Sequence, residues 1–98
     1  MVTLPNQPQI QVKIDDATAA GKYANMMQVA HNREEFVLDF INAFPPGAIV
    51  TSRVVTNPSH IKRIIKALAE NLKRYEENYG EIKETQESEA GNFGFIVK

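Results

Sequence analysis

The side chains able to do chemistry are few. The chain has two histidines, His31 and His60, and neither cysteine nor tryptophan. Neither histidine has a second one at helical spacing, so no metal pair is set up. Without cysteine there are no disulfides, thiolate metal sites or thiol nucleophiles. His31 reads as a solvated turn residue. Asp15 and Asp16 are neighbours, so their carboxylates diverge rather than converge like an acid/base pair, and they read as a turn closing a strand. Asp39 is the one acid inside the apolar run EFVLDFINAF and reads as a charge on a sheet face or edge that discourages wrong pairing. GNFGF lacks the spacing of a phosphate loop, and NPSH has proline in the middle of a glycosylation acceptor. Residue chemistry thus assigns no catalytic residue, no metal and no cofactor, and the expectation is a protein that is not an enzyme.

One group points to a ligand. Arg53 lies late in a β-branched stretch, and His60, Lys62, Arg63 and Lys66 fall in the first turns of a helix, beside free backbone amides and Ser59. Cations at a helix N-terminus oppose the macrodipole at a cost of a few tenths of a kcal/mol each, which hints at a use. Phosphate-bearing partners, nucleic acid included, and acidic protein surfaces fit this chemistry. The competing reading is a solvated helix face that answers the acidic tail of the same or a neighbouring subunit. No exposed aromatics interleave with these cations, which argues against a stacking platform for single strands. The formal net charge of -1 conceals the segregation: residues 1–46 carry -2, residues 47–75 carry +5 and residues 76–98 carry -4.

The elements that must position these residues follow from periodicity. Ile61, Ile64, Ile65, Leu68, Leu72, Tyr75 and Tyr79 line one face of a helix. Asn57 caps its start, Pro58 occupies the first helical position and Gly80 ends it in the left-handed conformation. In QIQVKID, Ile10, Val12 and Ile14 alternate with polar residues, the pattern of a half-buried strand. KYANMMQVAHN reads as a second strand. EFVLDFINAF admits two readings, a helix capped by Asn32 with Glu35 three residues later or a strand. Its β-branched and aromatic content and the short PPG connection favour the strand. Gly47 to Thr56 reads as a further strand with Val50 and Val54 on one side and Ile49 and Val55 on the other.

The expected fold is therefore α+β: an antiparallel four-stranded meander sheet followed by one long C-terminal helix packed on one face. Residues 1–82 read as a single domain and 83–98 as a flexible acidic tail whose last residues, FGFIVK, suit an edge strand. A single helix leaves the other sheet face apolar, which predicts a homodimer or tetramer. The alternative is that Gln28, Asp39 and Arg53 keep that face wet enough for a monomer. No apolar run reaches the roughly 20 residues of a transmembrane helix and MVTLPNQPQI is unlike a signal peptide, so the expected location is the cytoplasm, with no membrane partner.

The segments GKYANMMQVAHNREEFVLDF and VTSRVVTNPSHIKRIIKALAENLKRYEENYGEI resemble a family of short prokaryotic proteins catalogued as a domain of unknown function. Tyr23, Asn25, His31, Asp39, Arg53, Pro58, His60, Lys62, Asn71 and Gly80 are among the matching positions. PPGAI replaces a slightly longer charged loop of the relatives. The order of four antiparallel strands and a long helix is also similar to the export chaperone SecB, a tetramer that binds unfolded chains in apolar grooves. That similarity lies at the level of fold. It implies a non-enzymatic chaperone or scaffold whose partners are its own copies and another protein, with nucleic acid as the second choice.

Overall fold

The apolar run at residues 36–44 is a strand. In the structure, a computed structural model that describes residues 9–84, β2 (Phe36–Phe44) lies between β1 (Met26–His31) and β3 (Gly47–Thr56), and all pairings are antiparallel. As the central strand, β2 holds both buried apolar side chains of the described residues, Leu38 on one face and Ile41 on the other. Asn32 serves the turn between β1 and β2 instead of capping a helix. Its Oδ1 accepts from the amides of Glu34 and Glu35 at 2.8 and 2.9 Å, and its own amide donates to the Glu35 carbonyl at 3.0 Å. Phe44 pairs with Gly47 around Pro45 and Pro46, whose shared peptide bond is cis.

The strand expected from QIQVKID is not formed, so among the described residues the sheet has three strands and the expected four are not found. Ile10, Val12 and Ile14 are exposed, Val12 at 91%. Alternation decides which side chains share a face, but a strand also needs an edge to pair with. Asp15 likewise does not close a strand. It caps the short helix α1 (Asp16–Ala20), its Oδ1 accepting the Thr18 amide at 2.7 Å. Hydrogen bonding from Thr18, side chain first and then backbone, holds the Asp15 carboxyl below its ordinary value. His31 is not in a turn but ends β1 opposite Phe36, the two rings stacked at 5.2 Å.

Residues directly opposite one another point to the same side of the sheet. One face carries Met27, Val29, Leu38, Phe40, Ile49 and Val54, the other Gln28, Val37, Asp39, Ile41, Val50, Arg53 and Val55. Val50 and Val54 therefore lie on opposite faces, contrary to strict alternation. The register slips by one between Phe40 and Ile41: Ile41 opposes Val50, Phe40 opposes Ser52, and Thr51 is the extra residue of a bulge.

α2 (Pro58–Tyr79) has the bounds that the sequence predicts. The Asn57 Oδ1 accepts the His60 amide at 2.7 Å. At the other end Gly80, with φ 95° and ψ 167°, occupies a region open essentially to glycine alone, distinct from the expected left-handed helical one. Its amide donates to the Glu76 carbonyl at 2.9 Å, and the Glu76 carboxylate accepts the Ile82 amide at 2.9 Å.

The chain divides into two units, one up to Thr56 and one from Asn57 onward. Among the described residues no helix is long and apolar enough to cross a membrane. Beyond residue 84 the expected acidic tail and the FGFIVK edge strand lie outside the described residues.

Candidate binding surface

The sheet places the charged pair first. Asp39 on β2 stands opposite Arg53 on β3, and the guanidinium donates through Nε to Oδ1 at 2.7 Å and through Nη2 to Oδ2 at 2.9 Å. This bidentate fork is the strong form of a charge-assisted hydrogen bond. The hydrogen bonds from Arg53 hold the Asp39 carboxyl below its ordinary value against a smaller opposing effect of desolvation, and the same bonds push the guanidinium up. The Asp39 side chain is 14% exposed and that of Arg53 60%. Gln28 on β1 opposes Asp39, so Gln28, Asp39 and Arg53 form one polar row across all three strands. That row makes one face polar at its centre, with Val50 and Val55 exposed beside it, and leaves the other, with Met27, Val29, Phe44, Ile49 and Val54 exposed, as the more apolar face.

The other four candidate residues stand on α2. At about 100° per residue, Lys62, Arg63 and Lys66 fall on the side of the helix opposite the stripe of Ile61, Ile64, Leu68 and Leu72, together with Lys73 and Arg74. All five cations are exposed. Arg63 Nη1 donates to the Ser59 hydroxyl at 3.4 Å. His60 falls between the two sides, so α2 groups Lys62, Arg63 and Lys66 but not His60 with Lys62. Arg53 belongs to the first unit, where its guanidinium is engaged by Asp39.

Two features went unseen in the sequence. The first is Asn25, whose side chain acts as an extra rung ahead of β1: Nδ2 donates to the Ala43 carbonyl at 2.9 Å and Oδ1 accepts the Ala43 amide at 2.8 Å. Its own amide donates to the Ile41 carbonyl at 3.0 Å. An asparagine just before an apolar alternation was the available signal. The second is a shallow groove of about 460 Å3 lined by Ala17, Thr18, Gly21, Lys22, Ala24, Phe40, Thr51 and Ser52. Among the described residues no three histidine or acidic side chains gather as a metal site.

Across residues 2–84 the chain matches the family described as protein of unknown function (DUF3467), and it belongs to that family. No curated protein and no solved structure matches it.

Proposed function

We propose that this DUF3467 chain is a non-enzymatic homo-oligomer, a dimer or tetramer, that holds a protein partner through apolar sheet surface as a SecB-like chaperone or scaffold in the cytoplasm. One observation carries the reading. Among the described residues Leu38 and Ile41, 6% and 3% exposed, are the only buried hydrophobic side chains, while Met27, Val29, Phe44, Ile49 and Val54 stay exposed on one sheet face. Soluble monomers rarely leave large apolar patches uncovered, and a closed oligomer covers them with copies of itself. The likeness to SecB rests on antiparallel strands followed by a long helix, with one strand fewer than expected. Light scattering over a concentration series tests the assembly, and suppression of aggregation of a chemically unfolded client tests the activity. A monomer of constant mass that neither binds an apolar dye nor protects the client would refute the reading.

A second reading has its own support. Lys62, Arg63, Lys66, Lys73 and Arg74 share one side of α2 away from its apolar stripe, which suits nucleic acid or another phosphate-bearing ligand. Binding that weakens steeply with salt and is lost in the Arg63→Glu/Lys66→Glu variant is the expected result. Absent or salt-independent binding to DNA and RNA would exclude it.

A further inference from the structure

We infer that residues 10–15 of one copy add as an antiparallel strand to the outer edge of β1 in a second copy, an inference that rests on the homo-oligomer proposed above and names its contact. The segment has the side-chain pattern of a strand without the pairing. Ile10, Val12 and Ile14 alternate with Gln11, Lys13 and Asp15, all exposed, and none of them is in a strand of this chain. β1 stands at one end of the strand order, and among the described residues no strand pairs with its outer edge. Unpaired edges take up extended segments through main-chain hydrogen bonds, with alternate side chains setting the register.

Length, polarity and charge select β1. It has six residues, as the segment does. Antiparallel pairing of Ile14 with Met27, Val12 with Val29 and Ile10 with His31 puts three apolar side chains beside Met27 and Val29, which are half exposed on the apolar face. The same register sets Lys13 opposite Gln28 and so at the end of the row formed by Gln28, Asp39 and Arg53, where it extends a polar line and adds a cation on the side of the row away from Arg53. The outer edge of β3 suits the segment less well. It is broken by the bulge at Thr51, it offers Ser52 and Thr56 on the apolar face, and it would set Lys13 near Arg53. Within one chain the segment does not pair with β1: it leads directly into α1, whose Ala17 and Thr18 line one groove with Phe40 of β2 and Thr51 and Ser52 of β3.

The chain lacks cysteine, so introduced thiols report without background. Full-length Val12→Cys and Val29→Cys proteins, mixed and oxidised, are expected to give a disulfide-linked species of twice the chain mass, and Val12→Cys mixed with Val54→Cys is expected to give none. Val12→Asp, at an exposed position, is expected to shift the light-scattering mass toward the monomer while leaving the circular dichroism spectrum unchanged. Preferred linking to Val54→Cys, linking of Val12→Cys to itself, an intrachain bond in the double variant, or an undiminished oligomer in Val12→Asp would each overturn the strand addition while leaving the oligomer standing. A wild-type monomer would overturn both.

Discussion

Asp39 faces Arg53 only because β3 contains one residue more than the hairpin needs. From the turn, Phe44 opposes Gly47 and Ile41 opposes Val50; continuing that count would set Asp39 against Ser52. The bulge at Thr51 moves every later residue of β3 by one and delivers the guanidinium to the carboxylate, while the Thr51 hydroxyl donates to the Phe40 carbonyl at 3.1 Å. One inserted residue thereby completes the polar row of one face and sorts Ile49 and Val54 onto the other.

The pair makes stability depend on acid. A carboxyl whose folded pKa lies below its ordinary value of 3.8 contributes stability that is complete above that value and is lost as pH falls through the folded pKa. Thermal unfolding of the wild type is therefore expected to shift down as pH drops below about 4, and Asp39→Asn to flatten that dependence, with Asp15 supplying a remaining part. An unchanged acid profile in Asp39→Asn would show that the pair does not persist in solution.

Removing the side-chain rung before β1 leaves the Ala43 amide and carbonyl without their partner. Asn25→Ala is expected to cost about 1–3 kcal/mol in denaturant unfolding, the sum of two ordinary net hydrogen bonds. Amide exchange at Ala43 should quicken in the same variant, which locates the loss.

The small core sets a contrast between two leucine positions. Leu38→Ala, at a buried site, is expected to destabilise by about 2–5 kcal/mol, enough to unfold a chain with so little buried apolar surface. Leu68→Ala lies on an exposed part of α2 and should cost less in a monomer, so a comparable loss would indicate that an oligomer covers the stripe.

The caps of α2 are separable from its packing. Asn57→Ala is expected to lose about 1 kcal/mol through the orphaned His60 amide, and Gly80→Ala about 1–3 kcal/mol through backbone strain at φ 95°. Helicity measured by circular dichroism as a function of temperature checks both.

The apolar face is the last test. Ile49→Lys and Val54→Lys, both exposed on that face, are expected to lower the mass seen by light scattering and to abolish client protection. A Val55→Lys variant, exposed on the opposite face and away from β1, should leave both unchanged.

What the sequence determines here is local. The bounds of α2 follow from Asn57, Pro58 and Gly80, because caps and helix breakers act on amides and dihedrals within a turn of themselves. The hairpin at Pro45 and Pro46 and the absence of thiol chemistry are equally legible. What only the tertiary structure decides is pairing. The run at 36–44 has a helical period and a strand composition, and it becomes a strand because β1 and β3 flank it. Residues 10–15 have the strand period and yet pair with no strand of their own chain among the described residues, because alternation sets faces and not partners. The Arg53 guanidinium, read from the sequence as a candidate for a partner, is also paired with Asp39 while its side chain stays 60% exposed, since a one-residue bulge, invisible to periodicity, sets which side chains meet across a ladder.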